Sequence, residues 1–64
     1  MKALIASYEV SHRRIMSRIH ELNAQLAASG LQTEEREKLT ARREMLTIES
    51  IELMHIIADL RSHH

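Results

Sequence analysis

The sequence predicts an all-α fold, an antiparallel two-helix hairpin with helices at about residues 2–29 and 34–62 and a turn at 30–33. Three observations carry this. The chain has one Gly, no Pro and one aromatic residue, and it is dominated by Ala, Leu, Ile, Met, Glu, Arg and Lys, a helical composition. Its only punctuation is the stretch ASGLQTEE at residues 27–34. On both sides of that stretch apolar residues recur at spacings of three and four, the period of a helix that packs along one stripe.

The first helix carries Ile5, Tyr8, His12, Ile15, Ile19, Leu22 and Leu26 at those spacings, with His12 the one interruption. Gly30 fits the left-handed residue just past its end, and Leu31 is expected to pack back on Leu26 as in a Schellman ending. Thr33 is the expected N-cap of the second helix, with Glu34 and Glu35 in the first turn, where the helix dipole favours negative charge. Leu39, Leu46, Leu53 and Leu60 then follow at intervals of seven, with Arg36, Arg43, Ser50 and Ile57 at the intervening seam positions. Each helix would run about 42 Å at 1.5 Å per residue, and so short a turn makes them antiparallel neighbours.

One register satisfies both stripes. If facing residue numbers sum to 65, Ile5 meets Leu60, Tyr8 meets Ile57, His12 meets Leu53, Ile15 meets Ser50, Ile19 meets Leu46, Leu22 meets Arg43 and Leu26 meets Leu39. Arg43 must then snorkel to the edge, which predicts a thinner, more solvated seam near the turn. Residues 1–64 read as a single helical-hairpin domain.

A lone hairpin covers one stripe per helix, yet apolar residues remain after both seams are filled. Leu4, Met16, Met54 and Ile56 broaden the stripe, and Ile48 and Ile51 extend it to the back of the second helix. A chain of 64 residues buries only about 60 % of the surface its unfolded form exposes, and with no Cys it has neither disulfides nor a thiolate zinc site to reinforce it. Dimerisation into a four-helix bundle is therefore the expected support, with Leu4, Tyr8, Met16, Ile48, Ile51, Met54, Ile56 and Ile57 as the oligomer or partner interface. Met16, Met45 and Met54 read as gap-filling core.

Nine basic and nine acidic residues leave no net charge, so the whole-molecule field draws the chain to neither nucleic acid nor an anionic membrane. The opening MKALIAS is too short for a signal peptide, and no segment approaches the roughly 20 apolar residues of a membrane span. A cytoplasmic location is the default expectation. The terminal His63 and His64 read equally as native residues or as a tag remnant.

Chemistry is sparsely signalled. Nucleophilic catalysis needs Cys, or Ser with an oriented base on a concave scaffold, and a hairpin with scattered Ser and His offers neither. One Gly excludes a phosphate-cradling loop. Glu52 and His55 have the Glu-x-x-His spacing of carboxylate-bridged metal bundles, with Glu9 the nearest candidate from the first helix, but on a helical wheel the three do not converge. The plainer reading is a solvated face with His55 and Asp59 paired at i, i+4. No metal and no cofactor is expected.

Arg13, Arg14, Arg18, Arg42 and Arg43 form two basic clusters of the kind that small hairpin dimers can turn toward RNA. Against that stand the zero net charge, the lack of stacking aromatics beyond Tyr8, and the register, which sets Arg13 and Arg14 near Glu49 and Glu52 for cross-helix pairing. His12 at a seam position is expected to set register and to find a hydrogen bond from Ser50 or Glu49. The sequence thus favours a non-enzymatic protein–protein interaction module, a small homo-oligomeric regulator or adaptor. A nucleic-acid-binding regulator is the alternative, and a dimeric metal protein comes third.

Overall fold

The computed structural model describes residues 2–28 and 30–62, and in it the chain is an all-α helical hairpin. Helix α1 (Lys2–Ala27) and helix α2 (Thr33–Ser62) lie side by side in a rod of 50 × 14 × 11 Å between Cα extremes. Ser29, the expected last residue of the first helix, and His63 and His64 lie outside the described residues.

The two seams lie between the helices, as the heptads require. Ile5, Tyr8, His12, Ile15, Ile19 and Leu26 of α1 are half-buried and Leu22 is buried. In α2 the four heptad leucines, Arg43 and Ile57 are half-buried and Ser50 is buried, while Arg36, beside the turn, is exposed. Two edge contacts tie the helices together: Arg43 Nη1 donates to Asn23 Oδ1 at 2.8 Å, within one residue of the register, and Arg61 Nη2 reaches along the seam to Glu9 Oε1 at 2.8 Å, offset from it by five residues. The first of these is the edge-directed snorkelling expected of Arg43, whose aliphatic stem stays over the seam.

The turn is closed from both helices. Gly30 has φ +90°, the left-handed conformation that glycine adopts without penalty. Among the described residues the bonds that close the helix are Ala28 N–H donating to Gln25 C=O at 3.2 Å, which tightens the last turn, and Arg36 Nη1 donating to Leu26 C=O at 3.1 Å. A guanidinium at a helix C-terminus satisfies an orphan carbonyl and meets the negative end of the dipole. At the start of α2, Arg36 N–H donates to Gln32 C=O at 3.0 Å, so Gln32 holds the N-cap position and Thr33 is already the first helical residue. Glu34 and Glu35 remain in the first turn.

The core is shallow. Among the described residues Leu22, at 7 % exposure, is the one buried hydrophobic side chain, and Ser50, at 6 %, is the one buried polar residue. The expectation of a thinner turn half is therefore corrected, since the deepest apolar residue lies there. Leu22 and Leu39 line a shallow groove flanked by Arg18, Gln25 and Arg42, long side chains whose stems shelter them. Two layers at a hairpin's width cannot enclose more.

The polar seam residues are also arranged differently from expectation. Ser50 Oγ donates its one hydrogen to Thr47 C=O at 2.8 Å, one turn back in its own helix. His12 Nε2 is sealed from solvent with no hydrogen-bond partner, so the bond expected from Ser50 or Glu49 is absent. An unmet polar atom at a seam is a local destabilisation.

Candidate interaction surface

The outer side of α2 is the feature the hairpin leaves unexplained. At 100° per residue, Ile48 lies about 160° and Ile51 about 140° from Leu46, on the side of α2 that faces away from α1. They are 57 % and 48 % exposed, and Met45 and Met54 on the flanks are 65 % and 55 % exposed. Neither α1 nor the turn covers them. For a helix standing in water these are apolar residues on nearly every side, a pattern that belongs to a helix packed between neighbours.

The eight expected interface residues do not form one patch. Ile48 and Ile51 share the outer strip of α2, Met54 and Ile56 sit on its two edges, and Leu4 and Met16 are exposed on α1. Tyr8 and Ile57 are half-buried and belong to the inter-helix seam, where the register sets them opposite one another. Met16, Met45 and Met54, expected as gap-filling core, are all exposed in the single hairpin, because its core has no gaps deep enough to need them. The exposed Val10 on the outside of α1 was not signalled, for it stands alone in an otherwise polar face.

The basic residues are also divided. Arg13, Arg14 and Arg18 border a shallow depression on the outer face of α1 with Val10, Ile15 and Ser17. Arg42 shares the groove over Leu22 with Arg18, whereas Arg43 is half-buried and committed to Asn23 on the other edge. The five arginines therefore do not present one phosphate-tracking face. Among the described residues Arg61–Glu9 is the one side-chain ion pair, so Arg13 and Arg14 do not pair with Glu49 and Glu52, nor His55 with Asp59.

Glu9, Glu52 and His55 stay apart within the chain. Glu9 accepts from Arg61, and among the described residues no group of three or more His, Asp or Glu side chains could hold a metal ion. Among those residues, too, no helix is long and apolar enough to cross a membrane. No family model, curated protein or solved structure matches the chain.

Proposed function

We propose that the chain is a non-enzymatic protein–protein interaction module, a small helical regulator or adaptor that works through the outer strip of α2. The observation that supports this is the exposure of Ile48 and Ile51 on the side of α2 turned away from α1, where no intramolecular contact accounts for them. Placing two β-branched apolar residues and their methionine flanks in water lowers solubility without strengthening the hairpin, and a protein surface that covers them removes that liability.

Photo-crosslinking in cells tests the proposal. A photoreactive residue at position 48 is expected to give protein adducts that vanish when Ile51→Glu is added, while the same probe at position 14 gives none. Ile51 is exposed, so the Glu variant keeps its helicity. Absence of protein adducts at position 48 would overturn the proposal, as would nuclease-sensitive adducts at position 14, which would favour a nucleic-acid role for the α1 arginines.

A further inference from the structure

The outer strip of α2 is itself a second heptad seam. Ala41, Glu44, Ile48, Ile51, His55 and Ala58 follow one another at alternating spacings of three and four, nearly opposite the leucine seam that meets α1. All six are exposed. We propose that this strip binds a second copy of the chain, α2 against α2 in antiparallel orientation, about a two-fold axis between residues 49 and 50. The inference rests on the interaction-module reading and names its partner.

The strip is self-complementary in this register and in no parallel one. With facing numbers summing to 99, Ile48 meets Ile51 of the second copy, Glu44 meets His55, and Ala41 meets Ala58, each contact occurring twice by symmetry. The centre is apolar, the next layer lets a His N–H donate to a Glu carboxylate, and the outer layer is small enough for close approach of the helices. Along one flank Lys38 falls opposite Asp59. A parallel pairing would instead stack Glu44 on Glu44 and His55 on His55, like on like, which disfavours it. The groove along α2 bordered by Glu37, Thr40, Ala41 and Glu44 lies where His55 and Ala58 of the second copy would rest.

The chain exposes 5111 Å², more than the about 4,200 Å² of a compact monomer of 7.4 kDa, as a rod of 50 × 14 × 11 Å must, and a second copy along α2 would cover part of that surface. Because the two seams of α2 are nearly opposite, the dimer is a row of four helices with the two α2 helices inside, not a square bundle.

The chain has no native Cys, so introduced thiols report only on themselves. Ala41→Cys and Ala58→Cys are made separately, then oxidised or treated with a short thiol cross-linker, alone and mixed, beside light scattering of the parent over a dilution series. In the antiparallel register identical positions lie about 25 Å apart along the axis, 17 residues at 1.5 Å each, beyond disulfide reach. The expected result is a dimeric mass and a cross-linked dimer from the mixture only, with Ile51→Glu weakening association by more than about 100-fold because two copies of Ile51 sit in the central layers. Cross-linking of each variant with itself would overturn the antiparallel register, and a dimer that cross-links in no combination would place the interface elsewhere. A monomeric mass at all concentrations would overturn the second copy as occupant. The interaction-module reading would still stand or fall separately, on whether the probe at position 48 gives adducts of another mass.

Discussion

Replacing His12 with Leu should stabilise the hairpin. His12 is half-buried at the seam, where the register sets it level with Leu53, and its Nε2 is closed off without a partner. A buried polar atom left unpaired costs about 1–3 kcal/mol. The rest of the ring is partly exposed, which places the relief in the lower half of that range, about 1–2 kcal/mol. Leu adds a few tenths of a kcal/mol through its better helix propensity, and apolar contact with the Leu53 layer adds to both. For a domain of this size each kcal/mol moves the midpoint by about 4–8 °C, so the expected rise is roughly 6–15 °C. The assay is thermal unfolding by far-ultraviolet circular dichroism at several protein concentrations, which separates hairpin stability from any concentration-dependent association. A midpoint at or below the parent's at every concentration would refute the reasoning, since it would mean that Nε2 is hydrogen-bonded in solution.

Leu22→Ala removes the one buried apolar side chain of the described residues; the shallow seam can collapse around the gap, so the loss should sit near the low end of core truncations, about 2 kcal/mol, read as a lower urea midpoint at unchanged slope. Gly30→Ala should lower stability by about 1 kcal/mol through the left-handed backbone alone, because a Cβ there would meet nothing within 4 Å, and a loss much beyond this would point to a steric role. A double-mutant cycle of Glu9→Gln and Arg61→Gln should return a coupling below about 1 kcal/mol that shrinks as salt is added, as for other exposed pairs; a larger, salt-insensitive value would contradict the exposure of both side chains.

How much of this was legible in the sequence follows from what a heptad encodes. It fixes which side of a helix each residue occupies, so the hairpin and the at least partial burial of every seam residue except Arg36 could be read directly. It does not fix where the end of a long side chain goes. Arg36 was counted as a seam residue, yet beside the turn its guanidinium reaches an open carbonyl and its stem leaves the seam. The Arg61–Glu9 pair and the freedom of Arg13 and Arg14 are likewise rotamer outcomes that spacing cannot distinguish from the expected Arg–Glu pairs. Ser50 illustrates a different limit, since a buried hydroxyl in a helix has a carbonyl of its own preceding turn always within reach, and its hydrogen goes there and not to His12. Of the candidate surface, the exposure of Ile48 and Ile51 on the outer side of α2 follows from their spacing, whereas Tyr8 and Ile57 are half-buried in the hairpin because they also hold seam positions.

The two helices differ in a way that orders any larger assembly. Opposite its seam α1 shows Arg13, Arg14, Ser17 and Glu21, with Val10 the isolated apolar exception, so one apolar stripe meets one neighbour and water takes the rest. Opposite its own seam α2 shows Ile48 and Ile51, with methionines to either side, so it has two stripes and, in the hairpin, one neighbour. Burying apolar surface is the main favourable term in association, and α2 offers the larger share of it, with Met45, Ile48, Ile51, Met54 and Ile56 exposed against Leu4, Val10 and Met16 on α1. The second copy proposed above would accordingly lie against α2 and leave α1 outermost. In the proposed dimer the outer strip of α2 is covered, and the charged outer face of α1, with Arg13, Arg14 and Arg18 exposed, stays in contact with water.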